Sequence, residues 1–353
     1  MDFQYDYTAE DLGADANFTA PDFEEMHQLS LVIWVAMVIY SLVFLVGVLG
    51  NGAVIWVMSF KMRHTVNAVW FLNLSVADLL CCLALPILVA QLASDHHWHL
   101  GDFGCKLFPS LITLNMFASV LLLTAISMDR CALVIRPVWC QNHRSAPLAW
   151  LLCCVAWASA LVLTLPSFLT RTAELDVSSQ KTTCNVKYSV WGGDSEAAEV
   201  AVAVVRFLCG FLIPLGVISA CYGLLIWRVS GRRSMRSKKT LKVVLVVVVG
   251  FFLCWAPYHV AGLILSGNRE SALYEPTRKA DPLFVALAYI NSCINPIIYV
   301  IVGRDFKAKM RQSLKAVLQN LLSEEARLAS SMAEGHVQTT YTTTEDRSTS
   351  MNV

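Results

Sequence analysis

Charged residues are scarce in this chain. Asp, Glu, Lys and Arg make up only 15% of the 353 residues, and the formal net charge is +1. Soluble proteins usually contain about 25% charged residues. The balanced charge argues against a nucleic-acid-binding protein that depends on net positive charge. The 56% share of apolar residues excludes a disordered chain and argues against an ordinary cytosolic enzyme. The composition predicts a membrane protein.

Long stretches of the sequence lack charge altogether. Five apolar runs contain no Asp, Glu, Lys or Arg, and two more contain a single one each, Asp78 and Arg206. A helix that crosses a bilayer needs about 20 apolar residues, and its backbone groups bond within the helix. The sequence therefore predicts an all-α membrane protein, a seven-transmembrane-helix bundle over residues 29–303. The runs are residues 28–60, 66–94, 107–128, 145–170, 200–227, 243–268 and 282–303.

The positive charges between the runs predict the orientation. Residues 61–63 and 228–242 contain Lys and Arg but no acid, whereas residues 1–28 contain eight acids and no Lys or Arg. Lys and Arg are enriched in the cytoplasmic loops of membrane proteins. We therefore expect residues 1–28 to form an extracellular acidic arm and the carboxyl terminus to be cytoplasmic.

The region after the last run has two parts. In residues 304–322, apolar side chains recur at helical spacing among Lys and Arg, which predicts a short amphipathic eighth helix on the membrane surface. Residues 323–353 are polar and rich in Ser and Thr, which predicts a disordered cytoplasmic tail. Candidate phosphorylation sites in it are Thr339, Thr340, Thr342, Thr343, Thr344, Ser348, Thr349 and Ser350.

Each apolar run also contains a short motif with unusual chemistry or, in the case of the third run, is followed directly by one. In this order the motifs resemble those of the rhodopsin-like, or class A, G-protein-coupled receptors over about residues 30–320. The resemblance implies a plasma-membrane receptor that is not an enzyme. Its partners would be a heterotrimeric G protein, receptor kinases and an arrestin that reads the phosphorylated tail. The motifs are Gly50-Asn51, Asn73-Leu74-Ser75-Val76-Ala77-Asp78, Asp129-Arg130-Cys131, Trp157, Pro214, Cys254-Trp255-Ala256-Pro257 and Asn295-Pro296-Ile297-Ile298-Tyr299.

Two groups of residues are expected to switch the receptor. Asp129 and Arg130 form a local ion pair at the predicted cytoplasmic end, and the resemblance implies that Arg130 contacts the G protein while Tyr299 moves towards it. Proline removes a backbone hydrogen bond and bends a helix, and a bend allows two packings of similar energy. The alternative is static kinks. The resemblance adds Trp255 as the sensor of a bound ligand; the switching prolines are Pro214, Pro257 and Pro296.

A carboxylate inside a membrane span needs polar partners. Asp78 is such a group, and Asn115 with Ser119 and Asn291 with Asn295 are pairs spaced four residues apart, so each pair lies on one helix face. The resemblance implies an allosteric sodium ion among these oxygens. The alternative is a network of hydrogen bonds between helices without an ion. No other cofactor is expected.

The predicted extracellular loops contain cysteine and histidine. Cys105 and Cys184 are the two of the twelve cysteines on the oxidising side, which favours a disulfide between them. His96, His97 and His99 suggest a zinc site, but no acidic or cysteine ligand is fixed beside them by structure, so we expect no metal there.

The arm carries candidate modification sites. Asn17-Phe18-Thr19 is an acceptor sequence for a glycan. Tyr5 and Tyr7 lie among acids, as sulfated tyrosines do in peptide and chemokine receptors. Eight acids without a base attract a basic protein partner and speed its encounter. The alternative is an arm that is merely solvated.

Further segments resemble the chemoattractant branch of the family, and most closely its complement anaphylatoxin receptors. Amine receptors carry an acid where this chain has Ile112, and visual pigments carry a lysine where it has Tyr289. Formyl-peptide receptors, which with chemerin receptors are the alternative, carry an acid and a second arginine where this chain has Thr113 and Val202. A non-signalling scavenger of the same ligand is a further alternative, although known scavengers lose the arginine that is Arg130 here.

The resemblance also implies the ligand contacts. They are the positions of Arg171, Arg206, Tyr258 and Asp281, which in the relatives contact the carboxyl-terminal arginine of a basic anaphylatoxin. A lone guanidinium inside a span needs an anion, so Arg206 is expected to bind the ligand carboxylate and Asp281 the arginine side chain. The alternative is a structural pair of Arg206 with Asp281 or Glu199.

Overall fold

The computed structural model describes residues 20–61, 65–177, 180–192, 194–229 and 235–302, and residue 312. Within these ranges the side chains of residues 20–30, 61, 190, 191, 229, 235–244 and 299–302 are outside the description. The predicted membrane-surface helix 304–322 and the tail 323–353 are outside the described residues, apart from the helical residue 312.

Helices form nearly all of the described chain. Within it, seven helical segments are long and apolar enough to cross a membrane, which confirms the predicted bundle. α6 and α7 form one of these segments, and α4 is a short helix between the third and fourth. The helices are α1 (Ala20–Trp56), α2 (Val66–Ala93), α3 (Gly101–Ile135), α4 (Pro137–His143), α5 (Ala146–Leu169), α6 (Ser195–Phe207), α7 (Ile213–Val229), α8 (Met235–Leu265) and α9 (Tyr274–Val302).

Polar residues fix where several helices begin. Thr65 and Ser145 cap α2 and α5, their hydroxyl oxygens accepting backbone hydrogen bonds from Ala68 and Leu148 at 3.3 and 3.4 Å. α1 begins at Ala20, inside the predicted arm, since a proline and the acids after it suit the first turns of a helix. α9 likewise begins ahead of the apolar run 282–303. α1, α3, α8 and α9 are longer than the corresponding apolar runs because more polar turns extend them, whereas α2 and α5 keep close to the bounds of their runs.

The fifth span contains a break in its hydrogen bonding. Between α6 and α7, residues Leu208–Leu212 form one wide π-helical turn, which precedes Pro214. Proline has no N–H to bond to the preceding turn, and π turns are a recognised accompaniment of such interruptions. Gly210 lies in this turn, where an added Cβ would be 3.0 Å from Met116 Cε and 3.2 Å from His259 Cε1. The turn therefore packs closely against α3 and α8.

A small sheet lies between α5 and α6, where the sequence indicated only a loop. Strands β1 (Arg171–Asp176) and β2 (Lys181–Val186) pair antiparallel, with Ala173 opposite Cys184. We call the end of the bundle that carries this sheet the hairpin end. The opposite end, where α3 finishes after Arg130, is the Arg130 end.

α1 and α9 are joined at the proline of α9. Pro296 leaves the carbonyl of Ser292 without its helical donor, and Asn51 Nδ2 donates to that carbonyl at 2.8 Å. A Cβ at Gly50 would lie 2.9 Å from Pro296 Cγ, so only glycine permits this approach. The Gly50-Asn51 motif thus explains the packing of these two helices.

Candidate functional site

A cavity opens at the hairpin end of the bundle. Its empty space, including the part open to the outside, is about 760 Å³. Helices α1, α2, α3, α5, α6, α8 and α9 and the sheet all contribute to its wall. The lining residues are Tyr40, Leu88, Gln91, Leu92, His96, Pro109, Ile112, Thr113, Ser167, Arg171, Cys184, Arg206, Tyr258, Val285 and Tyr289.

Two arginines give the cavity its charge. Arg171 begins β1, and Arg206 lies in the last turn of α6, where its Nη1 is 3.3 Å from the hydroxyl of Tyr258. The described lining residues include no carboxylate. Burial, which outweighs the raising effect of Asp95, lowers the pKa of His96 below its usual value, so this ring is neutral near pH 7. The cavity wall is therefore positive at neutral pH and suits an anionic group.

The predicted ligand-binding residues are partly brought together. Arg171, Arg206 and Tyr258 line one cavity, and so do Ile112 and Tyr289, the residues that separate this chain from amine receptors and visual pigments.

Asp281 takes a different place. It is only 4% exposed in α9, and it is absent from the described lining of the cavity. It does lie within electrostatic range of Tyr40, which is a lining residue. Asp281 is therefore close to the cavity wall without forming it.

Aromatic rings extend from the cavity into the bundle. Tyr258 packs edge-on against Trp255, with ring centroids 5.4 Å apart, and Trp255 packs against Phe251 at 5.9 Å. Trp255 is only 1% exposed. Pressure on Tyr258 from a ligand would thus reach the segment of α8 beside Pro257 through direct ring contacts.

The sheet is fastened over the cavity by a disulfide and a buried tryptophan. Cys105 of α3 and Cys184 of β2 are bonded, with Cα atoms 5.5 Å apart, as predicted. Trp98 packs on this disulfide, and its backbone N–H donates to the Thr182 carbonyl at 2.7 Å. His97 Nδ1 accepts from the Thr182 N–H at 3.1 Å. These contacts hold β2 in place. β2 in turn pairs with β1, the strand that contributes Arg171 to the cavity wall.

The three histidines that suggested a zinc site, where we expected no metal, make other contacts. His97 and His99 pack edge to face at 4.3 Å, while His96 faces the cavity. Among the described residues, no group of three or more His, Cys, Asp or Glu side chains is arranged to hold a metal ion.

Replacement of Cys184 by serine should destabilise the protein. The disulfide closes a loop of 79 residues, and loss of such a cross-link typically costs about 2–4 kcal/mol. We expect a lower melting temperature of the purified protein and less of it in the cell membrane. Cys154→Ser, which changes an exposed free cysteine, is the matched control. Equal melting temperatures for both variants would contradict a stabilising role for the bond.

A second polar cluster surrounds Asp78 in the middle of the bundle. Asp78 is fully buried, and its Oδ2 accepts from Asn295 Nδ2 at 2.7 Å. The Asn115 amide satisfies its neighbours when its nitrogen faces Asp78; it then donates to Asp78 Oδ1 and to Ser119 Oγ, each at 3.2 Å. Asn291 is 3% exposed, and its Nδ2 makes no hydrogen bond within the described part of the chain. Of the predicted set, Asn115 and Asn295 thus contact the carboxylate of Asp78, and Ser119 is joined to it through Asn115.

Two serines of this cluster were missed as site residues. Ser75 and Ser292 are both fully buried, and Ser292 Oγ lies 3.2 Å from the Asn115 amide. Spacing could have indicated them, since Ser75 precedes Asp78 by three residues and Ser292 precedes Asn295 by three. Ser75 Oγ and Asn295 Oδ1 make no hydrogen bond to described residues. Oxygens without partners beside a buried carboxylate fit a small hard cation.

At the Arg130 end, the predicted ion pair is part of a larger network. Arg130 Nη2 is 3.6 Å from Asp129 Oδ2, and it donates a short hydrogen bond to Asn67 Oδ1. Arg144, which precedes α5, binds Asp129 through two hydrogen bonds of 2.7 and 3.0 Å. Arg144 and Asn67 were not predicted as site residues.

The chain is similar to known membrane receptors. Residues 50–299 match the family described as 7 transmembrane receptor (rhodopsin family). The chain belongs to the rhodopsin family of seven transmembrane receptors. It is 51% identical to the C5a anaphylatoxin chemotactic receptor 1 of Oryctolagus cuniculus over 323 residues, 91% of each chain. It is 50% identical over 295 residues to the protein of that name from Homo sapiens, and 48% identical over 292 residues to that from Rattus norvegicus, in both cases over 82% of each chain.

Membership in the rhodopsin family settles the general class. The protein is a multi-pass membrane receptor and not an enzyme. Several predicted sites of this receptor are outside the described residues. They are Tyr5, Tyr7 and Asn17 in the arm, the side chain of Tyr299, and the tail sites Thr339, Thr340, Thr342, Thr343, Thr344, Ser348, Thr349 and Ser350.

Proposed function

We propose that this receptor is a chemotactic receptor for the C5a anaphylatoxin, placed in the plasma membrane with its amino terminus outside the cell. The observation that carries the proposal is the cavity, where Arg171 and Arg206 stand in a wall whose described residues include no carboxylate. Two guanidinium groups in a partly dehydrated cavity suit the carboxylate at the end of a peptide. Relatives named as receptors for this anaphylatoxin share about half of their residues with the chain, which supports the choice of ligand.

The ligand would make two separate contacts. The acidic arm 1–28 would attract the basic body of the ligand, while the end of its chain enters the cavity. There Arg206 and Arg171 would bind the terminal carboxylate beside Tyr258. Asp281 would bind a basic side chain of the same chain end, approached past Tyr40.

Signalling would occur at the opposite end of the bundle. Arg130 and the basic segment 228–242 support coupling to an inhibitory G protein, since the sequence of that segment contains seven lysines and arginines and no acid. Phosphorylation of the tail by receptor kinases would then allow an arrestin to bind.

The ligand assignment is tested by parallel stimulation of transfected cells. Cells that express the receptor are exposed to C5a, to formyl peptides and to chemerin, while intracellular calcium and cyclic AMP are recorded. We expect a calcium rise and a fall in cyclic AMP with C5a alone. A response to formyl peptides or chemerin in place of C5a would favour those receptor types, and C5a binding without any response would indicate a scavenger.

We further propose that the Asp78 cluster binds a sodium ion that favours the resting state. Asp78, Ser75, Ser119 and Asn295 would hold it, because their oxygens surround one buried carboxylate and two of them make no hydrogen bond to described residues. When bound, the ion neutralises the carboxylate. The residues themselves link α2, α3 and α9, so their arrangement responds to movement of those helices.

Sodium should lower agonist affinity through Asp78. We expect C5a to bind about fivefold more weakly in sodium chloride than in N-methyl-D-glucamine chloride of the same ionic strength, a size typical of coupled sites. Asp78→Asn should remove this difference, whereas Glu270→Gln, which neutralises an exposed acid at the hairpin end, should retain it. A sodium effect that persists in Asp78→Asn would assign the effect to another site.

A further inference from the structure

Arg144 makes the most complete ion pair at the Arg130 end. Its Nε donates to Asp129 Oδ1 at 2.7 Å, and its Nη2 donates to Asp129 Oδ2 at 3.0 Å. The side chains are 22% and 12% exposed, so the pair is partly shielded from water. A guanidinium that binds both oxygens of a carboxylate is the strongest form of this contact. Asp129 is thus hydrogen-bonded to Arg144 and not to Arg130, its neighbour in sequence, with which it forms only a looser ion pair.

Arg130 is held correspondingly weakly. Its Nη2 is 3.6 Å from Asp129, beyond hydrogen-bonding distance, and it donates instead to the neutral amide oxygen of Asn67. Asn67 is shared, because Arg144 Nη2 also donates to it at 2.8 Å. Arg130 Nε makes no hydrogen bond within the described part of the chain. The residue expected to reach a G protein therefore lacks a strong hydrogen bond to a carboxylate.

We propose that Arg144 is a positioning residue for Arg130: by occupying Asp129, it keeps Arg130 available to a G protein. The inference rests on the proposed function, in which Arg130 makes the coupling contact. Two effects act in the same direction. Arg144 withholds the carboxylate from Arg130, and its positive charge repels that of Arg130 across the shared amide of Asn67.

Loss of Arg144 should therefore strengthen the restraint on Arg130. In Arg144→Gln, Asp129 has both oxygens free to bind the adjacent guanidinium, and release of Arg130 then requires breaking a charge-assisted pair. The resting state gains stability and the active state does not. An agonist must supply the difference, so its potency falls while the binding cavity at the hairpin end is unaltered.

The test is a double-mutant cycle in membranes from transfected cells. C5a-stimulated nucleotide exchange on an inhibitory G protein and C5a affinity without G protein are measured for wild type, Arg144→Gln, Asp129→Asn and the double variant. Arg136→Gln is the matched control, since Arg136 is exposed at the same end and its side chain makes no ion pair with a described residue.

We expect Arg144→Gln to lower potency in exchange about tenfold, within the range of roughly 5–150-fold usual for coupled sites. Affinity without G protein should change less than about twofold, and Arg136→Gln should behave as wild type. In the Asp129→Asn background, Arg144→Gln should have a much smaller effect, because no carboxylate remains to restrain Arg130 and only the charge repulsion by Arg144 is lost.

Three results would overturn the inference. They are unchanged potency in Arg144→Gln, a gain of exchange without ligand, and a loss of equal size in the Asp129→Asn background. If Arg144→Gln fails to reach the surface, Arg144→Lys provides the answer: one ammonium leaves a carboxylate oxygen for Arg130, so potency should fall by a smaller factor. Absence of C5a-stimulated exchange in wild type would instead reject the proposed function.

Discussion

Replacement of Arg206 by alanine should weaken binding of a ligand with a free terminal carboxylate by about 30-fold to several thousand-fold. Truncation of one partner of a buried, charge-assisted pair typically costs about 2–5 kcal/mol. Arg206 is positioned for such a pair, because it lines the cavity and its Nη1 is 3.3 Å from Tyr258. A carboxylate that enters the cavity would replace water around a guanidinium already held by the wall.

The experiment compares two peptides that differ at one group. A carboxyl-terminal ligand peptide and its amide are titrated against wild type, Arg206→Ala and the control Arg269→Ala, an exposed arginine outside the cavity lining. We expect Arg206→Ala to affect the free acid far more than the amide. Equal losses for both peptides would mean that Arg206 does not contact the carboxylate.

The same design tests Asp281. Removal of the terminal arginine of the ligand should weaken binding to wild type, and Asp281→Ala should add little to that loss if the two groups touch. Because Asp281 is 4% exposed and absent from the described cavity lining, a purely additive result has a clear meaning. Asp281 would then support Tyr40 and the wall, and the ligand arginine would bind elsewhere.

Replacement of Arg130 by alanine should abolish ligand-stimulated nucleotide exchange. Arg130 lies at the end of α3 opposite to the cavity. Its contacts there are Asn67 and Asp129, neither of which lines the cavity. Its loss removes the proposed contact with the G protein without altering the residues that line the cavity. We therefore expect exchange at background level together with C5a affinity near that of wild type.

The control again is Arg136, as alanine. Surface expression of both variants is measured by antibody binding to intact cells, so that loss of exchange is separated from loss of receptor. Exchange that survives in Arg130→Ala would show that another group makes the coupling contact. The scavenger alternative would then have to be judged on ligand uptake alone.

The spans of this receptor could be predicted because each one satisfies a single physical requirement. Lipid accepts about 20 apolar residues whose backbone groups bond internally, and the charge-free runs meet that condition without reference to the rest of the chain. The disulfide between Cys105 and Cys184 could be predicted equally well, because the predicted topology places both cysteines on the same side of the membrane. The pairs around Asp78 followed from helical spacing.

The sheet and the loop residues could not be predicted in that way. β1 and β2 are short, and their contacts with the rest of the protein run through Cys105 and Trp98, which lie in other segments. His96 faces the cavity from a turn after α2 in which Asp95 and His96 both have positive φ, a conformation that their residue types do not indicate. Arg144 was hidden for another reason: a basic residue at a helix boundary already has an explanation in the positive charge of cytoplasmic loops. Its pairing with Asp129 is a property of the folded bundle.

The π turn Leu208–Leu212 sets the helical phase of the fifth span. Each residue of an α-helix rotates the chain by about 100°, so one residue accommodated in a wider turn rotates everything before it relative to everything after it. Arg206 faces the cavity on one side of the turn, while Ile218, Tyr222 and Leu225 are buried in the core on the other. An uninterrupted helix of the same sequence would turn one of these two faces towards lipid. Deletion of a single residue from this turn would therefore rotate either Arg206 away from the cavity or the buried face away from the core, although no residue of either face had been changed.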